Sequence, residues 1–365
     1  MSRGPDASAL PNRPVKGRGS LSRRDGRFEP LVHQAVDDGW TRTGDPPPKT
    51  TVTREFPKSI IARNSSPDVG FDASINPYRG CEHGCVYCYA RPTHAYQGLS
   101  PGLDFETRLF AKPNAADLLR AELAAPGYRC KPIMLGANTD AYQPLEREWR
   151  ITRSVLEVLH ETNHPALIVT KSNLVTRDLD LLSDMAARHL VAVAVSVTTL
   201  DHRLANRMEP RAATPSLRLK AIRSLSEAGV PVTVMVAPIV PALTDWELER
   251  ILDAAAENGA SAAGYVLLRL PLEIKDLVAE WLDAHKPGMA KKVMNRMREM
   301  RDGNYYVSRF GTRMRGTGRH ADLIADRFRL ACKKHKLAFG SAARSDLDTR
   351  RFTPPPRDTR QMSLL

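Results

Sequence analysis

Five cysteines in 365 residues are too few for a disulfide scaffold in a chain of this size. No apolar run approaches the ~20 residues that span a bilayer. No apolar signal-peptide core follows the charged start. Together these predict a reducing, cytoplasmic setting and no membrane partner. A second pair of cysteines is also missing, and with it the usual two-pair pattern of a structural zinc site. Acidic residues are sparse at one end only. Residues 286–365 carry 20 Lys/Arg against 7 Asp/Glu, whereas residues 56–285 carry 24 against 27 and residues 1–55 carry 10 against 7. The basic C-terminal fifth is either a footprint for nucleic-acid phosphates or a solvated tail.

What the chain does have is Cys81-Glu-His-Gly-Cys85-Val-Tyr87-Cys88-Tyr89, three thiols spaced C-x3-C-x2-C. That spacing lets a tight loop, eased by Gly80 and Gly84, aim three sulfurs at one centre. A [4Fe-4S] cube normally takes four thiolates, so three would leave one iron open. Zinc with His83 as a further ligand, or no metal at all, are the other readings of the spacing.

Hydrophobic residues make up 42% of the chain, enough for a sizeable core. Residues 1–55 are rich in Pro, Gly, Arg and Asp without hydrophobic periodicity and are expected to be disordered, with a short lead-in strand over 51–61. Strands are expected at 74–78, 132–136, 166–170, 190–197, 230–237 and 262–268. Helices are expected between them at 115–123, 145–162, 178–188, 216–228 and from Thr244, with Glu247 completing a capping box, to about Asn258. Six βα units over residues 56–270 predict an α/β fold, a partial (β/α)6 TIM-type barrel with parallel strands. Residues 271–340 read as a helical extension, with helices at 271–284, 289–301 and 319–336. The last of these carries the apolar set Leu323, Ile324, Phe328 and Leu330, with Leu337 nearby. Residues 341–365 are expected to be a disordered tail.

In barrels of parallel strands the chemistry gathers at the C-terminal strand ends. There stand the three cysteines, Gly136-Ala-Asn138-Thr139-Asp140, Thr170-Lys171-Ser172, Ser196-Val-Thr198-Thr199, Pro238-Ile-Val-Pro241 and Arg269. These polar ends suit a buried polar ligand, each group of which needs a partner. The competing reading is that they cap the helices that follow.

The cysteine spacing with Tyr87 resembles the radical S-adenosylmethionine (radical SAM) superfamily. Cys-Val-Tyr-Cys-Tyr, Asn-Thr-Asp-Ala-Tyr-Gln-Pro-Leu-Glu, Thr-Lys-Ser, Ser-Val-Thr-Thr, Glu209-Pro-Arg211 and Val-Ala-Pro-Ile-Val-Pro are similar to the branch that contains the spore photoproduct lyases. Within it the chain looks most like a bacterial group labelled the PA0069 family. The likeness covers about residues 55–340.

The resemblance implies the same barrel and a [4Fe-4S] cluster on Cys81, Cys85 and Cys88. It implies S-adenosylmethionine as the second cofactor, cleaved reductively to a 5′-deoxyadenosyl radical that acts on a substrate not named by the sequence. An electron donor of the flavodoxin or ferredoxin type would be the partner. Tyr87 and Tyr89 would flank the adenine, and Asn138, Thr139 and Asp140 would meet the methionine moiety and ribose. Lys171, Ser196, Thr198, Glu209 and Arg211 would complete the cofactor site. Photoproduct lyases use a cysteine at the end of the second strand as hydrogen-atom donor, and this chain has none there. Cys130 precedes that strand, whose five residues put it roughly 17 Å from the strand's C-terminal end, at the wrong end of the barrel, and Cys332 falls in a C-terminal helix. Thymine-dimer repair is therefore not implied. Two alternatives stay open: a DNA- or RNA-directed lyase recruited through residues 286–365, and a non-catalytic nucleic-acid-binding protein with a structural metal.

Overall fold

The run Val191–Ser196 reads Val-Ala-Val-Ala-Val-Ser, and five of its six residues are buried. A strand apolar on both faces belongs in the middle of a parallel sheet with helices on its outside. The computed structural model, which describes residues 14–29, 48–340 and 347–356, places it there. The strands are β1 (Thr51–Arg54), β2 (Ile61–Arg63), β3 (Ala73–Ile75), β4 (Tyr78–Arg79), β5 (Arg108–Ala111), β6 (Ile133–Leu135), β7 (Ala166–Thr170), β8 (Val191–Ser196), β9 (Val232–Ile239) and β10 (Ala262–Leu267). The main sheet runs β10-β9-β8-β7-β6-β3-β2. Its first six strands pair in parallel, and β2 adds an antiparallel edge. This is the expected six-unit partial barrel. A small second sheet, β1-β5-β4, stands beside the cysteine loop.

The helices are α1 (Asp104–Thr107), α2 (Ala115–Leu123), α3 (Glu146–Trp149), α4 (Ile151–Glu161), α5 (Leu179–Ala187), α6 (His202–Met208), α7 (Pro215–Glu227), α8 (Leu248–Glu257), α9 (Ile274–His285), α10 (Pro287–Glu299) and α11 (Arg319–His335). Among the described residues no helix is long and apolar enough to cross a membrane.

Several expectations are corrected. The helix over 145–162 is two helices, broken where Arg150 turns left-handed (φ 48°). The break lets the Glu146 carboxylate fold back and accept from the amides of Thr152 (2.9 Å) and Arg153 (3.2 Å) at the start of α4. The strand over 74–78 divides at Asn76-Pro77 into β3 and β4. Glu247 does not close a capping box. Its carboxylate reaches across to Thr199 Oγ1 (2.5 Å) and the Leu200 amide (2.9 Å). Leu323 and Leu330 are exposed, whereas Ile324, Phe328 and Leu337 enter the core.

The termini differ most. Residues 14–29, expected to be disordered, form an irregular strap against the cysteine loop, with Arg18, Gly19, Ser20, Leu21 and Ser22 buried. The other residues of the 1–55 segment that were expected to be disordered, 1–13 and 30–47, lie outside the described residues. Residues 347–356 also dock. Asp348 donates its amide to His189 O (2.9 Å), and the Phe352 ring meets His164 at 5.2 Å and Tyr128 at 5.5 Å. Residues 341–346 and 357–365 lie outside the described residues.

Two buried clusters matter for the site. One fills the sheet–helix interface. The other joins Cys85, Val86 and Tyr87 to Leu21 of the strap and to Trp281, Leu282 and Val293 of α9 and α10. The helical extension and the strap thus close over the cysteine loop from outside.

Candidate active site

The loop from Cys81 to Cys88 leaves β4 after Gly80 (φ 72°) and turns again at Gly84 (φ 67°). A Cβ on Gly84 would stand 2.7 Å from Glu106 Oε2, so only glycine fits there. Buried side chains pin the loop. Arg91, fully buried, donates to Gly84 O (3.1 Å) and Cys85 O (2.8 Å) and pairs with the buried Glu106. Gln143 donates to Gly80 O (3.1 Å) and accepts from the Glu82 amide (2.9 Å). The Val86 amide donates to Met208 O (3.1 Å) and the Arg211 amide to His83 O (3.2 Å).

The three thiols are free and line one cavity of about 360 Å³ at the C-terminal ends of the strands. That volume is in the range of small-molecule sites. Burial pushes all three thiols above the ordinary value. Backbone amides of Ala90 and Arg91 oppose the shift at Cys88. Among the described residues no three His, Cys, Asp or Glu side chains gather tightly enough for a single metal ion. His83 also lines the cavity, where its Nδ1 pairs with Asp140 Oδ2 (3.3 Å). The donor set therefore fits a cluster that takes one sulfur per iron and does not fit zinc with His83.

Ten of the expected residues line this cavity: Cys81, Cys85, Cys88, Tyr87, Tyr89, Asn138, Thr139, Asp140, Lys171 and Ser196. The Tyr87 hydroxyl donates to Glu209, and the Lys171 ammonium lies 5.9 Å from its ring centre. Tyr89, 47% exposed, donates to Ala137 O. Asn138 is held by its amide on Asn76 Oδ1 (2.9 Å). The Thr139 hydroxyl is taken by Tyr78 O (2.9 Å).

Asp140 accepts from the Lys171 amide (2.7 Å), Thr170 Oγ1 (2.7 Å) and the Tyr142 amide (2.9 Å). Burial alone would raise its pKa, but His83 and these donors outweigh it and hold the carboxyl down at about 2. Asp140 therefore organises the loop ends with a carboxylate already engaged by the protein.

Thr198, Glu209 and Arg211 stand behind the wall instead of in it. Glu209 is buried, accepts from Thr198 Oγ1 (2.7 Å) and pairs with the buried Arg218. Arg211 pairs with Glu82 (2.7 Å), which also accepts from Thr50 Oγ1 (2.9 Å). Glu209 and Thr198 hold the cavity-lining Tyr87, the Arg211 amide holds His83 O, and none of the three lines the cavity. Cys130 does not line the cavity, and Cys332 is fully buried in the core.

Sequence reasoning missed Asn76, Arg91, Glu106 and Arg218. Nothing local marks them, since each acts through a partner distant in the chain or a carbonyl. The rest of the wall is mostly apolar, with Val169, Ala194, Met235, Val266 and Met314, and adds three polar side chains, His83, Thr170 and Arg269.

A family model described as the Radical SAM superfamily matches residues 75–255. The uncharacterised protein Rv2578c of Mycobacterium tuberculosis is 37% identical over 264 residues, 72% of this chain and 76% of that protein. The uncharacterised protein MJ0683 of Methanocaldococcus jannaschii is 28% identical over 173 residues, 47% of this chain and 62% of that one. Among solved structures, spore photoproduct lyase complexed with dinucleoside spore photoproduct matches with TM-score 0.54 at 16% identity, covering 78% of this chain and 79% of its own. A double mutant of the same lyase with bound AdoMet and dinucleoside spore photoproduct matches with TM-score 0.54 at 17% identity, over 78% of each chain. At these identities the likeness to the lyase is one of fold.

Proposed function

The chain belongs to the radical SAM superfamily, and from that premise we propose that it is an enzyme that cleaves S-adenosylmethionine reductively at a [4Fe-4S] cluster held by Cys81, Cys85 and Cys88. The observation that carries this reading is three free thiols on one wall of a cavity whose other walls are parallel-strand ends. Bound by these three thiols, the cluster would supply the electron for that cleavage, and the cofactor would supply the radical chemistry that takes a hydrogen atom from the substrate.

The protein's own residues do the positioning. Lys171 makes no ion pair among the described residues, and its ammonium is the cation for the methionine carboxylate. Ser196 offers a hydroxyl, and Asn138 a side-chain amide, to the ribose and the amino group. Tyr87, fixed through Glu209 and Thr198, walls the adenine side, and the apolar floor excludes water from the radical. An electron carrier of the flavodoxin or ferredoxin type is the reductant this reading calls for.

Anaerobic reconstitution with iron and sulfide tests the cluster assignment. The wild type should take up about four irons per chain, and Cys85→Ala should keep little. Equal loading of the two would refute it.

A second reading, a lyase directed at nucleic acid, is favoured by one observation. The 301–318 segment, which carries Arg309, Arg313 and Arg315, reaches the cavity through Met314. Affinity for a single strand that falls with salt would support it.

A further inference from the structure

Arg269 is a cation for which S-adenosylmethionine has no partner left. It follows β10 at the C-terminal end of the last parallel strand and lines the cavity. Its guanidinium lies 5.1 Å from the ring centre of Tyr89, the residue directly after Cys88. Among the described residues its one side-chain hydrogen bond runs from Nη1 to the Met314 sulfur (3.5 Å), a weak acceptor, and its buried Nε has no partner. Among the described residues it makes no ion pair. The fully buried arginines beside the site do, Arg91 with Glu106 and Arg218 with Glu209, whereas Arg269 is half-buried.

A second uncompensated guanidinium stands behind it. Arg301 is buried and spends its donors on Leu268 O (3.0 Å) and Thr312 O (2.9 Å), and its Nε is also unpartnered. Burial and the neighbouring Arg269 charge lower its pKa to about 10. Asp68 is near enough to feel Arg269, but it is occupied by Arg313 and by the Gly311 amide (2.6 Å).

S-adenosylmethionine brings one carboxylate, for which Lys171 is the proposed partner. Asp140, the carboxylate of the cavity, is already engaged by Thr170, the Lys171 amide and His83. Arg269 and Arg301 therefore have no carboxylate of their own among the described residues. A group close to doubly negative, with oxygens that match a planar fork, satisfies them best.

We propose that Arg269, backed by Arg301 and the 301–318 segment, is an anion subsite that takes a phosphate of the substrate, so that the molecule attacked is phosphate-bearing. This rests on the cavity being the radical site. The phosphate could belong to a small nucleotide or to a nucleic-acid strand.

The test is binding to the full chain without a cluster, so it is separate from turnover. Inorganic phosphate, a 5′-mononucleotide and a short single-stranded oligonucleotide are titrated at low salt, with and without S-adenosylmethionine. Arg269→Gln should weaken all three by about tenfold or more, and Arg269→Lys by less, while S-adenosylmethionine affinity stays within about twofold. Arg269→Lys also serves if Arg269→Gln fails to fold. Equal affinity for mononucleotide and oligonucleotide supports a small substrate. A tighter, strongly salt-dependent oligonucleotide supports a strand. Unchanged phosphate binding in both variants overturns the proposal. So does loss of S-adenosylmethionine affinity with phosphate binding intact, which would assign Arg269 to the cofactor. Phosphate binding through Arg269 in a protein that never yields 5′-deoxyadenosine would refute only the radical reading.

Discussion

Arg91 and Glu106 form a fully buried ion pair whose remaining donors and acceptors serve the cysteine loop, the strap and the Pro101 and Gly102 carbonyls. Removing one member of such a pair leaves a buried charge uncompensated, at about 3–5 kcal/mol. Arg91→Met should therefore lower unfolding free energy by about that much in urea, and Arg91→Met with Glu106→Gln should recover part of it. Equal loss in the single and the double variant would show that the charge is not the cause.

Two histidines give a pH signature. Burial holds His94 and His164 down at about 4. The unfolded chain takes up those protons near pH 6.5, and the folded chain waits until about pH 4. Over that window the unfolded state binds more protons, so stability is full above about pH 6.5 and declines as pH falls towards about 4. His164→Gln should flatten the slope of urea midpoint against pH, and an unchanged slope would contradict this. At this scale the thiols were legible because three lie within eight residues. Glu106 was not, because its partners Gly19 and Ser20 lie more than 80 residues away.

The parallel strands could be read because each is a short apolar run between periodic helices, and β7 and α2 fall on their expected bounds. What failed were elements set by distant polar contacts. Glu146 breaks a helix to cap its own second half, and Glu247 is drawn across to Thr199.

The strap is the larger case. Its composition is that of a disordered segment, and it is ordered by acceptors on other elements: Glu106 from the end of α1, and Asp276 and Glu280 of α9 through Arg24. A Cβ on Gly19 would stand 1.7 Å from Gly84 O. Gly19→Val should therefore lift the strap from the cysteine loop. A reconstituted Gly19→Val protein should lose iron on brief exposure to air several times faster than wild type, followed by absorbance. Equal loss rates would show that the strap does not shield the loop.

Over the whole molecule, the open end of the partial barrel forms one cavity that carries three thiols, Lys171 and Arg269, and the strap and the helical extension pack against the outside of its cysteine loop. The strand-end rule found its walls from sequence, because in a parallel sheet every strand ends on the same side. It did not separate residues that face the cavity from those behind it. Thr198 lies two residues beyond Ser196, the last residue of β8, and Glu209 follows α6, yet both are drawn from the cavity into the buried contact with Arg218 of α7. Lys171→Met should raise the Kd for S-adenosylmethionine by about tenfold or more and leave iron content unchanged. Loss of iron instead would place Lys171 in the support of the loop.

The most direct measurement is anaerobic turnover. The reconstituted protein is given dithionite and S-adenosylmethionine, with mass spectrometry for 5′-deoxyadenosine, alone and with the phosphate-bearing probes. The account predicts 5′-deoxyadenosine from the wild type and none from Cys85→Ala. A fully loaded wild type that forms no more than Cys85→Ala under every one of these conditions would contradict it.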